Sequence, residues 1–246
     1  MPILSKTMLT HSIPGTAYGF SATRPTDLGA TEYTLVAICA DTSSSVHGFA
    51  DDIRKCIVSV VESCRHSPRA DNLMLRVVTF DDDLTEIHGF EPLTRCKRST
   101  YDKAIRPRGC TALFDATLNA VESVLRYGKD LSDHDFDVNA ILFVITDGMD
   151  NRSSTKPSRI AKAIAAARRS ESLESVTSVL IGVDVSNQQL SAQLRRFEQE
   201  AKFDRYLELG RADPATLARL ARFVSKSISV QSQSLSTGQS APSIGF

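Results

Sequence analysis

Two nearly continuous apolar runs constrain this chain most: residues 34–40, TLVAICA, and residues 138–145, VNAILFVI. A strand with one wet face alternates apolar and polar residues, whereas a strand covered on both faces reads as a continuous run. Each run is therefore expected as a central strand of a sheet with helices on both sides. The rest of the chain fits that arrangement. Phe49, Ile53, Cys56, Ile57, Val60, Val61 and Cys64 recur at three- and four-residue steps, which is one face of a helix. Residues 73–80 predict a strand, and residues 84–90 its hairpin partner across the turn Asp81-Asp82-Asp83. Phe114, Leu118, Val121 and Leu125 mark a second helix, and Ile160, Ala163, Ile164 and Ala167 a third. A strand at 176–183, a helix at 190–201 and a short strand at 205–209 follow. The last helix carries Leu217, Leu220, Ala221, Val224 and Ile228 after the start signal Asp213-Pro214. Such alternation predicts an α/β fold.

The flanks read differently. Residues 1–30 are rich in Thr, Ser, Gly and Pro without sustained periodicity and are expected as an arm on the domain at 31–230. Residues 231–246 are Ser- and Gln-rich and nearly uncharged, the composition of a disordered tail. Lys plus Arg equals Asp plus Glu at 29 each, so no global basic field recruits nucleic acid or an anionic membrane. Arg95, Lys97 and Arg98 read as a solvated loop. Cys39, Cys56, Cys64, Cys96 and Cys110 are odd in number and form no CxxC pair. Buried reduced thiols are expected, hence a reducing compartment. The start lacks a long apolar segment behind a basic one, and no stretch reaches membrane-spanning length, so the expected location is cytoplasmic.

Open α/β sheets bind ligands beyond the carboxyl ends of their strands, where the strand order reverses. Here the first central strand ends at Asp41, followed by Thr42, Ser43, Ser44 and Ser45. The second ends at Thr146-Asp147-Gly148, and a third loop holds Gly109-Cys110-Thr111 just before a helix. If the two strands are neighbours, Asp41, Ser43, Ser45, Thr111 and Asp147 converge. All five offer hard oxygen and none is Cys or His, a set that suits Mg²⁺, Mn²⁺ or Ca²⁺ and disfavours zinc. Taken singly, Ser43 or Ser45 would serve as a helix cap, and Asp147-Gly148 as a turn. His47 reads as a rim or packing residue. Asp150 and Asn151 fit either a loop-bracing role or a solvated turn, and Asp81 to Asp83 a hairpin tip. The acidic run from Asp133 to Asn139 lacks the Gly and the final Glu of a calcium loop.

Asp41-x-Ser43-x-Ser45, the distant Thr111 in a Gly-x-Thr loop, and Asp147 in Thr-Asp-Gly resemble the metal-ion-dependent adhesion site of the von Willebrand factor type A domain. The resemblance spans roughly residues 33–230. It implies a three-layer, Rossmann-like fold with a six-stranded sheet, mostly parallel, whose one antiparallel strand lies at an edge. It also implies that Ser43, Ser45 and Thr111 coordinate the ion directly, with Asp41 and Asp147 bound directly or through water. One position would accept a carboxylate from a partner protein. The chain looks most like stand-alone intracellular bacterial members, such as the tellurite-resistance-associated branch. The expected function is a non-enzymatic, metal-dependent protein-binding module. The alternative is a Mg²⁺-dependent phosphohydrolase with Asp41 as nucleophile, although such enzymes usually carry a second carboxylate where this chain has Ser43.

Overall fold

In the computed structural model, residues 8–102, 104–185, 188–210 and 213–237 are described. Strand β3 (Glu32–Asp41) lies at the centre of the sheet beside β6 (Asp137–Thr146), and in each all residues but the first are buried. They run parallel, with Ala40 opposite Ile145. On the other side of β3 lies β4 (Leu73–Phe80), also parallel and buried along its whole length. Beyond β6 come β7 (Ser175–Val183) and β8 (Arg205–Leu209), both parallel. Beyond β4 comes the antiparallel β5 (Leu84–Pro92). The chain therefore leaves β3 in one direction to reach β4 and later returns to the opposite side as β6. The strand order reverses between β3 and β6.

Helices cover both faces, because each presents a single apolar stripe. Helix α1 (Ala50–Arg65) and helix α5 (Pro214–Thr237) share one core with Val36, Ile38, Ile141 and Phe143. Helices α2 (Leu113–Ser132), α3 (Pro157–Arg169) and α4 (Gln188–Ala201) share the other with Leu35, Ala37, Ala140 and Leu142. Successive residues of β3 and β6 thus feed opposite cores, which explains why these strands are apolar throughout.

Among the described residues the sheet has eight strands rather than six, and β5 is not at its edge. Within the expected arm, β1 (Met8–Ser12) and β2 (Gly19–Thr23) form an antiparallel hairpin, and β2 joins β5 in parallel with Ala22 opposite Phe90. Three contacts hold it there. Ile13, Phe20 and Ala22 are buried in the α2-side core. Ser21 donates its N–H and hydroxyl to the Glu86 carboxylate, which also pairs with the buried Arg76 at 2.8 Å. Gly89 lies so close to the Ser21 carbonyl that a methyl group there would overlap it. At the other end, α5 continues through Thr237, into the segment expected as a tail; residues 238–246 lie outside the described residues. Among the described residues, no helix is long and apolar enough to cross a membrane.

Candidate metal centre at the strand ends

The reversal point between β3 and β6 places Asp41 beside Thr146. The Thr146 hydroxyl donates to Asp41 Oδ2 at 2.6 Å, and the Ser43 N–H donates to Asp41 Oδ1 at 2.8 Å. Both Asp41 oxygens are thus engaged, and the side chain is fully buried. The chain then makes a short 3-10 turn, Ser44–Gly48, which swings Ser45 back over the site. Ser45 Oγ lies 3.0 Å from Ser43 Oγ and donates to Asp147 Oδ1 at 3.0 Å. A continuous polar chain therefore links Asp41, Ser43, Ser45 and Asp147. Ser43 and Asp147 are buried, while Ser45 is exposed and marks the open side.

The Thr111 loop forms a wall of the same site. Ser44 N–H donates to the Gly109 carbonyl at 3.1 Å, and Arg108 N–H to the Thr42 carbonyl at 2.8 Å, so this loop is laced to the one after β3. Gly109 has φ of +67°, a left-handed conformation suited to glycine, and a Cβ there would collide with the Asp82 carboxylate. Thr111 N–H donates to Asn151 Oδ1 at 2.8 Å, and Asn151 N–H returns a bond to the Thr111 carbonyl at 3.1 Å. Thr111 is buried. Among the described contacts its hydroxyl makes no bond to the other four candidates, so the structure links four of them directly and places Thr111 by its backbone.

Several bracing residues had no assigned role, or an open one, in the sequence. Thr146 orients Asp41. Asp150 accepts the Phe114 N–H at the start of α2 at 3.1 Å, a bond from outside the helix that stands in for a cap. With Asn151 it resolves in favour of bracing. Asp81, expected at a mere hairpin tip, is buried; its carboxylate takes Arg108 at 2.5 Å and its carbonyl takes the Ala112 N–H at 2.8 Å. His47 is exposed on the 3-10 turn. Register supplied a usable signal for Thr146, since it stands opposite the residue after Ala40. No local pattern distinguishes Asp81.

Electrostatics at the site are one-sided. Among the described residues, neither Asp41 nor Asp147 is ion-paired. Burial pushes the Asp41 carboxyl above its ordinary range, against the hydrogen bonds from Thr146 and Ser43 that pull it down. Burial, and then the charge of Asp41, raise Asp147 to about 6, with the Ser45 bond opposing. Two carboxylates facing one another with hydroxyls between them form a hard-oxygen donor set that lacks a positive charge.

No protein-family model matches the chain, and neither does any curated protein. Solved structures do match in fold. The D319A mutant of the PilB minor pilin from Streptococcus sanguinis has a TM-score of 0.60 at 14% identity, covering 87% of this chain and 65% of that one. The pilus adhesin SpaC from Lactobacillus rhamnosus GG has a TM-score of 0.56 at 11% identity, covering 85% and 32%. Proximal thread matrix protein 1 from the mussel byssus has a TM-score of 0.53 at 18% identity, covering 80% and 46%. This chain spans about a third to two thirds of these proteins' lengths. At such identities the likeness concerns the fold alone.

Proposed function

We propose that the chain is a von Willebrand factor type A-like module that binds a protein partner through a divalent cation, Mg²⁺ or Mn²⁺ in preference to Ca²⁺. The reading rests on one observation: two buried carboxylates, Asp41 and Asp147, meet at the strand-order reversal without an ion-paired cation among the described residues. Leaving such charges uncompensated is costly, and a cation is the simplest remedy. Asp41, Ser43, Ser45, Thr111 and Asp147 would hold it. When bound, the ion offers positive charge and an outward position for an acidic side chain of the partner. Ser45, the exposed member, would border that contact, while Thr146 and Asn151 keep Asp41 and the Thr111 loop in place. A cytoplasmic setting and the absence of a nucleic-acid or membrane partner belong to the same reading.

The phosphohydrolase alternative is weaker. Aspartyl nucleophiles of this layout usually carry a second carboxylate two residues on, where this chain has Ser43. The test is thermal unfolding with Mg²⁺ or Mn²⁺ against chelator. Stabilisation should grow with ion excess in the wild type and vanish in Asp41→Ala. Equal responses in both proteins would sink the assignment.

A further inference from the structure

A second set of metal-ligating side chains lies away from the strand ends, on the α1/α5 face. His88 and Glu91 come from β5, and Cys96 follows the 3-10 turn Leu93–Arg95. β4 and β5 are antiparallel, so Leu84 stands opposite Phe80 near the first site, while Pro92 stands opposite Met74. His88 stands opposite Val77, three residues along β4 from Phe80 or about 10 Å at ~3.3 Å per residue, and Glu91 lies further along, opposite Leu75. One ligand atom from each of His88, Glu91 and Cys96 lies within 4.8 Å of the other two. His88 Nδ1 is 3.4 Å from Glu91 Oε1, and Cys96 Sγ is 3.8 Å from the same oxygen. A tetrahedral zinc ion with bonds of about 2.3 Å to sulfur and about 2.0–2.1 Å to nitrogen and oxygen separates its ligand atoms by roughly 3.3–3.6 Å. Two of the observed spacings, 3.4 and 3.8 Å, are already close to that, and the third is within 4.8 Å.

The surroundings match as well. A metal-bound imidazole usually donates its other N–H to a fixed partner. His88 Nε2 lies 2.9 Å from the buried Tyr101 hydroxyl, leaving Nδ1 facing Glu91. Cys96 Sγ is buried, with long contacts to Glu91 and the Pro92 carbonyl at 3.8 and 3.7 Å, and it also interacts with the Tyr101 hydroxyl. Burial, and then the charge of Glu91, push the Cys96 thiol up to about 12; Arg65, which donates to the Cys96 carbonyl, opposes this with its positive charge. Thiolate plus carboxylate neutralise a divalent ion, which removes the cost of an uncompensated charge in a largely buried place.

We propose that His88 Nδ1, Glu91 and Cys96 form a site for a borderline-soft divalent cation, zinc foremost, with Tyr101 as a positioning residue. The site is chemically distinct from the hard-oxygen one and does not depend on that reading. Without the cation, the His88 Nδ1 proton is held by the Gly89 carbonyl at 3.0 Å and Nε2 accepts from Tyr101. Loading displaces the Nδ1 proton, which returns through solvent to Nε2; Nε2–H then donates to the Tyr101 oxygen, and Tyr101 keeps its own proton. The Cys96 thiol loses its proton to solvent on binding.

Titration with Co²⁺ tests this, on a Cys110→Ser background that removes the exposed thiol. One equivalent should produce a thiolate-to-cobalt absorption band, which Zn²⁺ displaces and excess Mg²⁺ does not. The band should disappear in Cys96→Ser. Glu91→Gln, at a partly exposed position that should spare the fold, should weaken binding at least tenfold. Tyr101→Phe should weaken it about 10- to 100-fold, as loss of an outer-shell partner does. The nitrogen spectrum of the His88 ring should change tautomer on Zn²⁺ addition. No band with the folded parent protein, an unchanged band in Cys96→Ser, or unaltered affinity in Glu91→Gln would each overturn the proposal.

Discussion

Replacing Asp147 by Asn should stabilise the protein in chelator while abolishing its response to Mg²⁺. Asp147 is 7% exposed and its folded pKa rises from 3.8 to about 6. The folded state therefore holds this proton more tightly than the unfolded chain. Between pH 3.8 and about 6, folding takes up a proton, so this group's contribution to stability falls as pH rises. Above about 6 the full cost applies, about 3 kcal/mol at ~1.4 kcal/mol per pH unit. Asp147→Asn removes the charge yet keeps a carbonyl oxygen that can accept from Ser45. At neutral pH in chelator the variant should melt higher by up to about 6–12 °C, taking ~2–4 °C per kcal/mol for a chain of this size. Its stability should also stay flatter than wild type across that pH window. Calorimetry in EDTA, repeated with Mg²⁺, measures both effects. If the variant melts at or below wild type in EDTA, or keeps the same pH slope, Asp147 does not carry an uncompensated charge and the argument for a cation there collapses.

Three further outcomes follow from the same contacts. Thr146→Val removes the donor to Asp41 Oδ2 and should cost about 1–3 kcal/mol in chelator, with Mg²⁺ affinity lowered roughly 10- to 100-fold, both read from thermal titrations. Arg76→Ala strips a buried cation from Glu86, Asn119 and Ser123 and should cost about 3–5 kcal/mol in denaturant unfolding. Gly89→Ala should push β2 off β5, accelerating proteolysis within residues 8–23 while peptides from β3 and β6 stay protected; uniform protection throughout would contradict the close approach described above.

The central strands and helices α1 to α5 are legible in the sequence because each carries a long, one-sided or two-sided apolar pattern. The meeting of four candidates is legible for a different reason. Asp41, Ser43 and Ser45 lie at the end of β3 and Asp147 at the end of β6, so the topology that pairs these strands also brings Asp41 to Asp147. The hairpin of β1 and β2 escaped notice because each strand has only five residues and its stabilising partners, Glu86, Gly89 and Phe90, are distant in sequence. Local periodicity carries no information about such pairing. The role of Asp81 is hidden for a similar reason, since a carboxylate in an acidic turn looks solvated until Arg108 and Ala112 close over it. His88, Glu91 and Cys96 have no regular spacing, and only the end of a strand followed by a tight turn draws them together.

The pairing of β2 with β5 has a consequence for synthesis. The Thr23 hydroxyl bonds to the Phe90 carbonyl, 67 residues later. At about 5–20 residues per second, that gap keeps the β1–β2 hairpin without its sheet for roughly 3–13 seconds. A lone two-stranded hairpin is marginal in water, so Ile13, Phe20 and Ala22 remain open to solvent for that interval. The hairpin is made well before the strand that receives it. The nascent chain should therefore be vulnerable to aggregation, and attractive to a chaperone, at residues 8–23 until β5 is available.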